Sequence, residues 1–136
     1  MDIVETAGRV LFVAIFALSG LNHLRNREAM AAYARGSGAP APELTVLMIM
    51  AGAVLVGIGL WADLGALLIA AFVFPTAYFM HGFWRFDDPS ERMTQQIHFQ
   101  KNVSMGGAAL VLFYLFNQFG PEVGLTVGDG RLFPSI

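Results

Sequence analysis

Four stretches of this chain carry no formal charge: residues 10–24, 44–62, 64–84 and 102–121, of 15, 19, 21 and 20 residues. A helix needs roughly 20 apolar residues to cross a bilayer, and about 17 still suffice. Three stretches meet that length outright. The first reaches it with Ala7, Gly8 and a snorkelling Arg9. Soluble helices of this length keep a polar stripe, and between Leu44 and Leu60 none is wider than Thr45. The pattern predicts an all-α fold, an integral membrane four-helix bundle in a single domain covering 1–136. Its helices fall at about 7–24, 43–61, 64–85 and 89–119, with a tail at 120–136.

Local signals add detail to that outline. Residues 26–34 read as a short amphipathic helix between helices one and two, with Asn26 as its cap and Met30, Tyr33 and Ala34 on one side. Gly36-Ser37-Gly38 ends it, and Pro40 and Pro42 reset the chain. Trp61-Ala62-Asp63 reads as a tight hairpin with Asp63 capping helix three, and Pro75 should loosen that helix from within. Asp88-Pro89-Ser90-Glu91 is a helix start with cap, first-position proline and acidic third position. A helix running unbroken from there to Phe119 would be ~46 Å long, about 15 Å more than a ~30 Å hydrocarbon core. Gly120-Pro121 stops it, and Leu125 to Phe133 alternates as a small hairpin would. Gly52, Gly57 and Gly59 in helix two and Gly106 to Ala109 in helix four are small enough for helices to pack closely.

Composition narrows the chemistry. Apolar residues make up 56% of the chain and charged residues 13%, well under the roughly 25% of soluble domains. A net charge of −2 without any Lys/Arg run offers nothing for nucleic acid. Cysteine is absent, which excludes disulfides, thiolate nucleophiles and iron–sulfur ligation. Electrons would have to travel on an organic carrier. The first apolar stretch has Asp2 and Glu5 before it and lacks a basic leader, so it reads as a retained helix and not as a cleaved signal. Arg25, Arg27, Arg35, Arg85, Arg92 and Lys101 lie toward one membrane face, and only Arg9 and Arg131 toward the other. The positive-inside rule places the 25–43 and 85–98 loops in the cytoplasm and both termini outside a plasma membrane.

The polar residues that remain converge on the loop-rich face. Helix one ends in Asn22 and His23, helix three in Tyr78, His81, Trp84 and Arg85, and helix four begins with His98, Lys101 and Asn102. Helical spacing puts His98, Lys101, Asn102 and Met105 on one face, Tyr78, His81 and Arg85 on another, and Arg9, Phe16, Gly20 and His23 on a third. Ionisable groups inside a membrane are costly and usually mark a site. A quinone head group needs donors facing two carbonyls, an aromatic wall and a proton source; Tyr78, His81, Trp84, His98, Lys101 and Asn102 supply them, with His23 and His98 as a proton relay. The structural alternative is that Trp84, Arg85 and Lys101 anchor helix ends at the interface while the histidines bond loop carbonyls. A metal could draw on His23, His81 and His98 with Asp87 or Asp88, but no pair has ligand spacing within one helix, so no metal site is assigned. Two histidines clamping a haem is a further, weaker alternative, since they lie near the membrane surface.

Gly8-Arg9-Val10-Leu11, Phe16-Ala17-Leu18-Ser19-Gly20-Leu21, His81-Gly82-Phe83-Trp84 and Gln95 through Gly107 together resemble the DoxX family, over about residues 7–117. The resemblance implies a small four-span membrane protein of bacteria or archaea. Some relatives serve as membrane subunits of quinone-linked sulfur oxidation, and others associate with redox-defence partners. Members often carry Lys where this chain has His23 and Glu near Ile49 or Met50, a pair this chain lacks. The expectation is a quinone-interacting accessory subunit, electrons coming from a redox partner protein. A non-catalytic scaffold or assembly subunit is the rival reading, and a small-molecule transporter, which would need an oligomer, the third.

The cysteine-free background makes the orientation directly testable. In intact cells, an impermeant maleimide should label Ser135→Cys and spare Ser90→Cys until the membrane is permeabilised. Labelling in the reverse order would invert the topology.

Overall fold

The computed structural model describes residues 2–39 and 41–136. Pro40, read above as a chain-resetting residue, lies outside them. Among the described residues every regular element is helical: α1 (Asp2–Arg25), α2 (Arg27–Gly36), α3 (Pro42–Ile58), α4 (Ala62–Met80) and α5 (Pro89–Phe119), with 3-10 turns at Phe83–Arg85 and Gly120–Glu122. Helices one to four of the sequence reading correspond to α1, α3, α4 and α5, and the amphipathic segment to α2.

The distribution of length differs from expectation. Three helical segments are long and apolar enough to cross a membrane: Ile3–Arg25, Ala62–Arg85 and Pro89–Glu122. The short one is α3, not α1. It stops at Ile58 because Gly59 takes a left-handed conformation (φ 71°). Its 17 residues rise ~26 Å, still close to the hydrocarbon thickness. α1 gains a turn because Glu5 and Arg9 are paired one helical turn apart, at 3.4 Å.

The core lies where α1, α3, α4 and α5 meet, built from Phe16, Ile49, Val56, Ile69, Phe72, Val73 and small alanines between them. Outward positions are apolar as well: Leu11 and Leu18 on α1, Leu47 on α3 and Val111 on α5 are each more than half exposed. An apolar exterior around an apolar core is the arrangement lipid demands and water penalises. Close approach depends on missing side chains. A Cβ on Gly52 would sit 2.8 Å from the Gly65 carbonyl oxygen, and one on Gly106 would sit 2.6 Å from the Phe74 ring. Gly107 meets nothing within 4 Å, so only part of the small-residue run in α5 serves packing.

Pro75 sits inside α4, which continues through it, and α5 is a single helix of 31 residues started by Asp88, whose carboxylate accepts from the Glu91 N–H at 2.9 Å. Five local expectations need correction. Asn26 makes no cap bond; its amide turns back to Asn22. α4 ends at Met80, not near residue 85, because the Arg85 guanidinium folds back onto the carbonyls of Phe79 (3.0 Å) and Tyr78 (3.3 Å) and caps the helix from outside. His81 is thus the residue that closes α4, and the Tyr78–His81–Arg85 helical stripe does not form. The segment 125–133 forms turns instead of a hairpin.

The fourth correction explains the third. Asp63 does not cap α4. It is fully buried, and its carboxylate accepts from the N–H groups of Leu64 (2.8 Å), Leu132 (2.8 Å) and Phe133 (2.9 Å). The tail is drawn across this end of the bundle. Arg9 does not snorkel; it is 3% exposed, gives Nη2 to the Leu125 carbonyl at 2.6 Å and lies over the Phe116 ring. Asn117 bonds the Pro134 carbonyl and the Ile136 N–H, both at 3.0 Å. A segment too short to pair as strands satisfies its backbone on buried side chains.

Removing the Asp63 carboxylate strands two tail N–H groups. Asp63→Ala should cost ~2–5 kcal/mol of stability in detergent and make the 123–136 tail sensitive to protease, with Asp63→Asn between it and the native chain. Unchanged melting and an intact tail would show that the clamp is unimportant.

Candidate functional site

The opposite end of the bundle is not sealed in this way. The C-terminal ends of α1 and α4, the first half of α5 and α2 surround a cavity of about 280 Å³ lined by His23, His81, His98, Lys101 and Asn102, among others. Five of the seven residues proposed from sequence are therefore brought together. Tyr78 and Trp84 are not. Both are about half exposed, and the Arg85 guanidinium lies near both rings, 5.9 Å from Tyr78 and 6.0 Å from Trp84. Trp84 packs edge-on to Phe83 and Phe99. The fold-back that ends α4 carries this aromatic group away from the cavity, so Trp84 is no wall for a ligand there.

The histidines are positioned by neighbours of different kinds. His81 and His98 stack with ring centroids 5.1 Å apart and an interplanar angle of 29°. The Gln95 side-chain oxygen, 2.8 Å from His81 Nδ1, accepts the proton on that nitrogen. Neutral His81 therefore presents Nε2 as an acceptor. On His98 the order is reversed: the Lys101 ammonium, 3.4 Å away, donates to Nδ1, which places the ring proton on Nε2. The stacked pair thus offers one acceptor and one donor. His23 Nδ1 donates to the Ser19 carbonyl at 2.8 Å, leaving its Nε2 as a second acceptor.

Asn102 is the most telling residue. It is 6% exposed and lines the cavity. Its amide offers both a donor and an acceptor to a group in the cavity. No Asp or Glu lines the cavity, so its charge is neutral to positive throughout. Such a lining suits an acceptor-rich group and negative charge on its oxygen.

Gln95 and Tyr33 belong to the site and were not singled out as site residues from sequence. Gln95 lies three residues before His98 and holds the His81 ring. Tyr33 lines the cavity from α2, and its hydroxyl donates to the Met80 carbonyl at 3.3 Å. The one signal for Gln95 was its place one turn before His98; Tyr33 was legible as part of the apolar side of α2 with Met30 and Ala34, but its reach to the cavity depends on how α2 folds back. Ile49 of α3 lines the same cavity as His23. Among the described residues no three His, Asp or Glu side chains gather as a metal-binding group.

Three long apolar helices and a polar cavity near their ends define a small helical membrane protein. The DoxX family model matches residues 5–82, more than half of the chain, and the protein belongs to that family. The match takes in His23 and His81 and ends before Gln95, His98, Lys101 and Asn102. Comparison with curated proteins and with solved structures gave no match.

Proposed function

We propose that this protein is a four-span subunit of the plasma membrane that binds a quinone head group in the cavity between α1, α4 and α5, and works with a redox partner protein. The observation that carries the reading is the lining of one cavity, which gathers the Asn102 amide, two stacked imidazoles and an ammonium group. Ligand pockets usually hold ~300–1,000 Å³. At about 280 Å³ the cavity suits a single ring better than a larger cofactor.

A bound quinone would supply two-electron chemistry, taking two electrons and two protons to become the quinol. This chain's residues hold and neutralise. Lys101 and Asn102 would donate to the ring's carbonyl oxygens, with His98 donating through Nε2 and His81 Nε2 taking or returning a proton. His23, on α1, passes protons between this group and the loop face. Electrons come from the partner, since the chain has no cysteine for a metal–sulfur centre. In the topology proposed above, the cavity opens toward the cytoplasm.

A second reading is an assembly subunit. It is favoured by Met93 and Ile97, exposed one turn apart near the start of α5, where a partner could seat. Crosslinking in native membranes separates the two: a scaffold has a stoichiometric neighbour and no ligand.

Titrating the purified protein in lipid nanodiscs with a tail-less dimethoxy-methyl-benzoquinone should give saturable binding. The double variant His81→Ala with Lys101→Ala and the single variant Asn102→Leu should each weaken it by about tenfold or more. Trp84→Phe should change it by less than ~2-fold, because Trp84 is outside the cavity. Absent saturation, or equal binding in all variants, would refute the proposal.

A further inference from the structure

A second hollow, of about 460 Å³, runs beneath α2 between α3 and α4. Its lining is almost wholly apolar, and its width comes from alanines: Ala31 and Ala34 of α2, Ala39 and Ala41 of the connection, and Ala71 of α4. Leu44 and Leu47, both more than half exposed, form its outer lip. The groove is not separate from the polar cavity. His23, Met30, Phe72, Thr76 and Met80 line both, so the two meet at a neck with an imidazole and a hydroxyl at its edge. The Thr76 hydroxyl is turned back onto the Phe72 carbonyl at 2.8 Å, which leaves its methyl group and the Met80 chain as the neck's apolar sides.

We infer that this groove holds the isoprenoid chain of the same quinone whose head occupies the cavity, with α2 as the strap that covers it. The inference rests on the head-group reading above and adds the ligand's class: a long-chain prenylated quinone. Continuity selects this occupant over an unrelated lipid. A head group in the cavity must send its chain somewhere, and the groove is the apolar passage that shares the cavity's own lining and reaches the exposed face of α3. α2 is suited to act as a strap. It buries Ala34, and the Tyr33 hydroxyl ties it to the end of α4. The chain gains little hydrophobic free energy on leaving lipid for the groove, because both are apolar. The groove's contribution is therefore steric selection and orientation of the ring.

The test fills the groove and leaves the cavity alone. Binding of the tail-less benzoquinone and of its decyl-chain analogue is measured in nanodiscs of one lipid composition. The proteins are the native chain, Ala31→Trp (entering from α2) and Ala71→Leu (entering from α4). The groove reading predicts that both variants bind the tail-less ring within ~2-fold of the native chain and lose about tenfold or more for the decyl analogue. If the decyl analogue binds every protein as it binds the native chain, while the ring still binds, the groove holds something else and the head-group proposal survives. If the ring itself does not bind the native chain, both readings fall. The two variants enter from different helices, so misfolding of one, seen as a lost thermal transition, leaves the other to decide.

Discussion

Within lipid a polar group has only the protein to bond, and that constraint orders this molecule from end to end. Backbone groups are met inside helices, outward side chains are apolar, and polar side chains withdraw to the two ends of the bundle. At one end they are used up. The Asp63 carboxylate accepts from three N–H groups, and Asn117 and Arg9 bond tail carbonyls, so a chain segment without regular structure still lies satisfied against the helices. Arg9 pays the largest residual cost, with Nε and Nη1 unbonded among the described residues and an ion pair to Glu5 outside hydrogen-bond geometry. Its position over the Phe116 ring partly offsets this.

The other end has polar groups to spare. Arg85 closes α4 and Gln95 holds His81, while Asn102 and Lys101, the latter 3.4 Å from His98, line an open cavity. One end is closed by the tail, and the other keeps a polar cavity. This contrast, more than any single motif, supports a ligand at the α2 end. The same end carries the apolar groove, and α2 borders both spaces. A short helix with weak intrinsic stability thus sits where it can regulate access.

Much of the architecture was legible because it follows from local rules. Charge-free runs located the long helices, Asp88-Pro89-Ser90-Glu91 located the start of α5, and Gly120-Pro121 its end. What could not be read depended on contacts between distant segments. Asp63 has the sequence surroundings of a cap, and only the tail 69 and 70 residues later reveals it as a clamp. Arg85 looks like an interface anchor until its guanidinium is seen on the carbonyls of Tyr78 and Phe79. That fold-back separates Tyr78 and Trp84 from His81, although all three are close in sequence. The gathering of His23, His81, His98, Lys101 and Asn102 was legible because antiparallel helices bring alternate ends together. The identity of Gln95 and Tyr33 as their neighbours was not.

The central claim is that the cavity beside Asn102 receives a quinone ring. Photolabelling with an azido-benzoquinone, followed by peptide mapping, tests it without any substitution. The account predicts covalent label on peptides from the end of α4 and from residues 95–105 of α5, suppressed by excess unlabelled quinone. Label confined to the lipid-facing surfaces of α1 and α3, or insensitive to competitor, would contradict it.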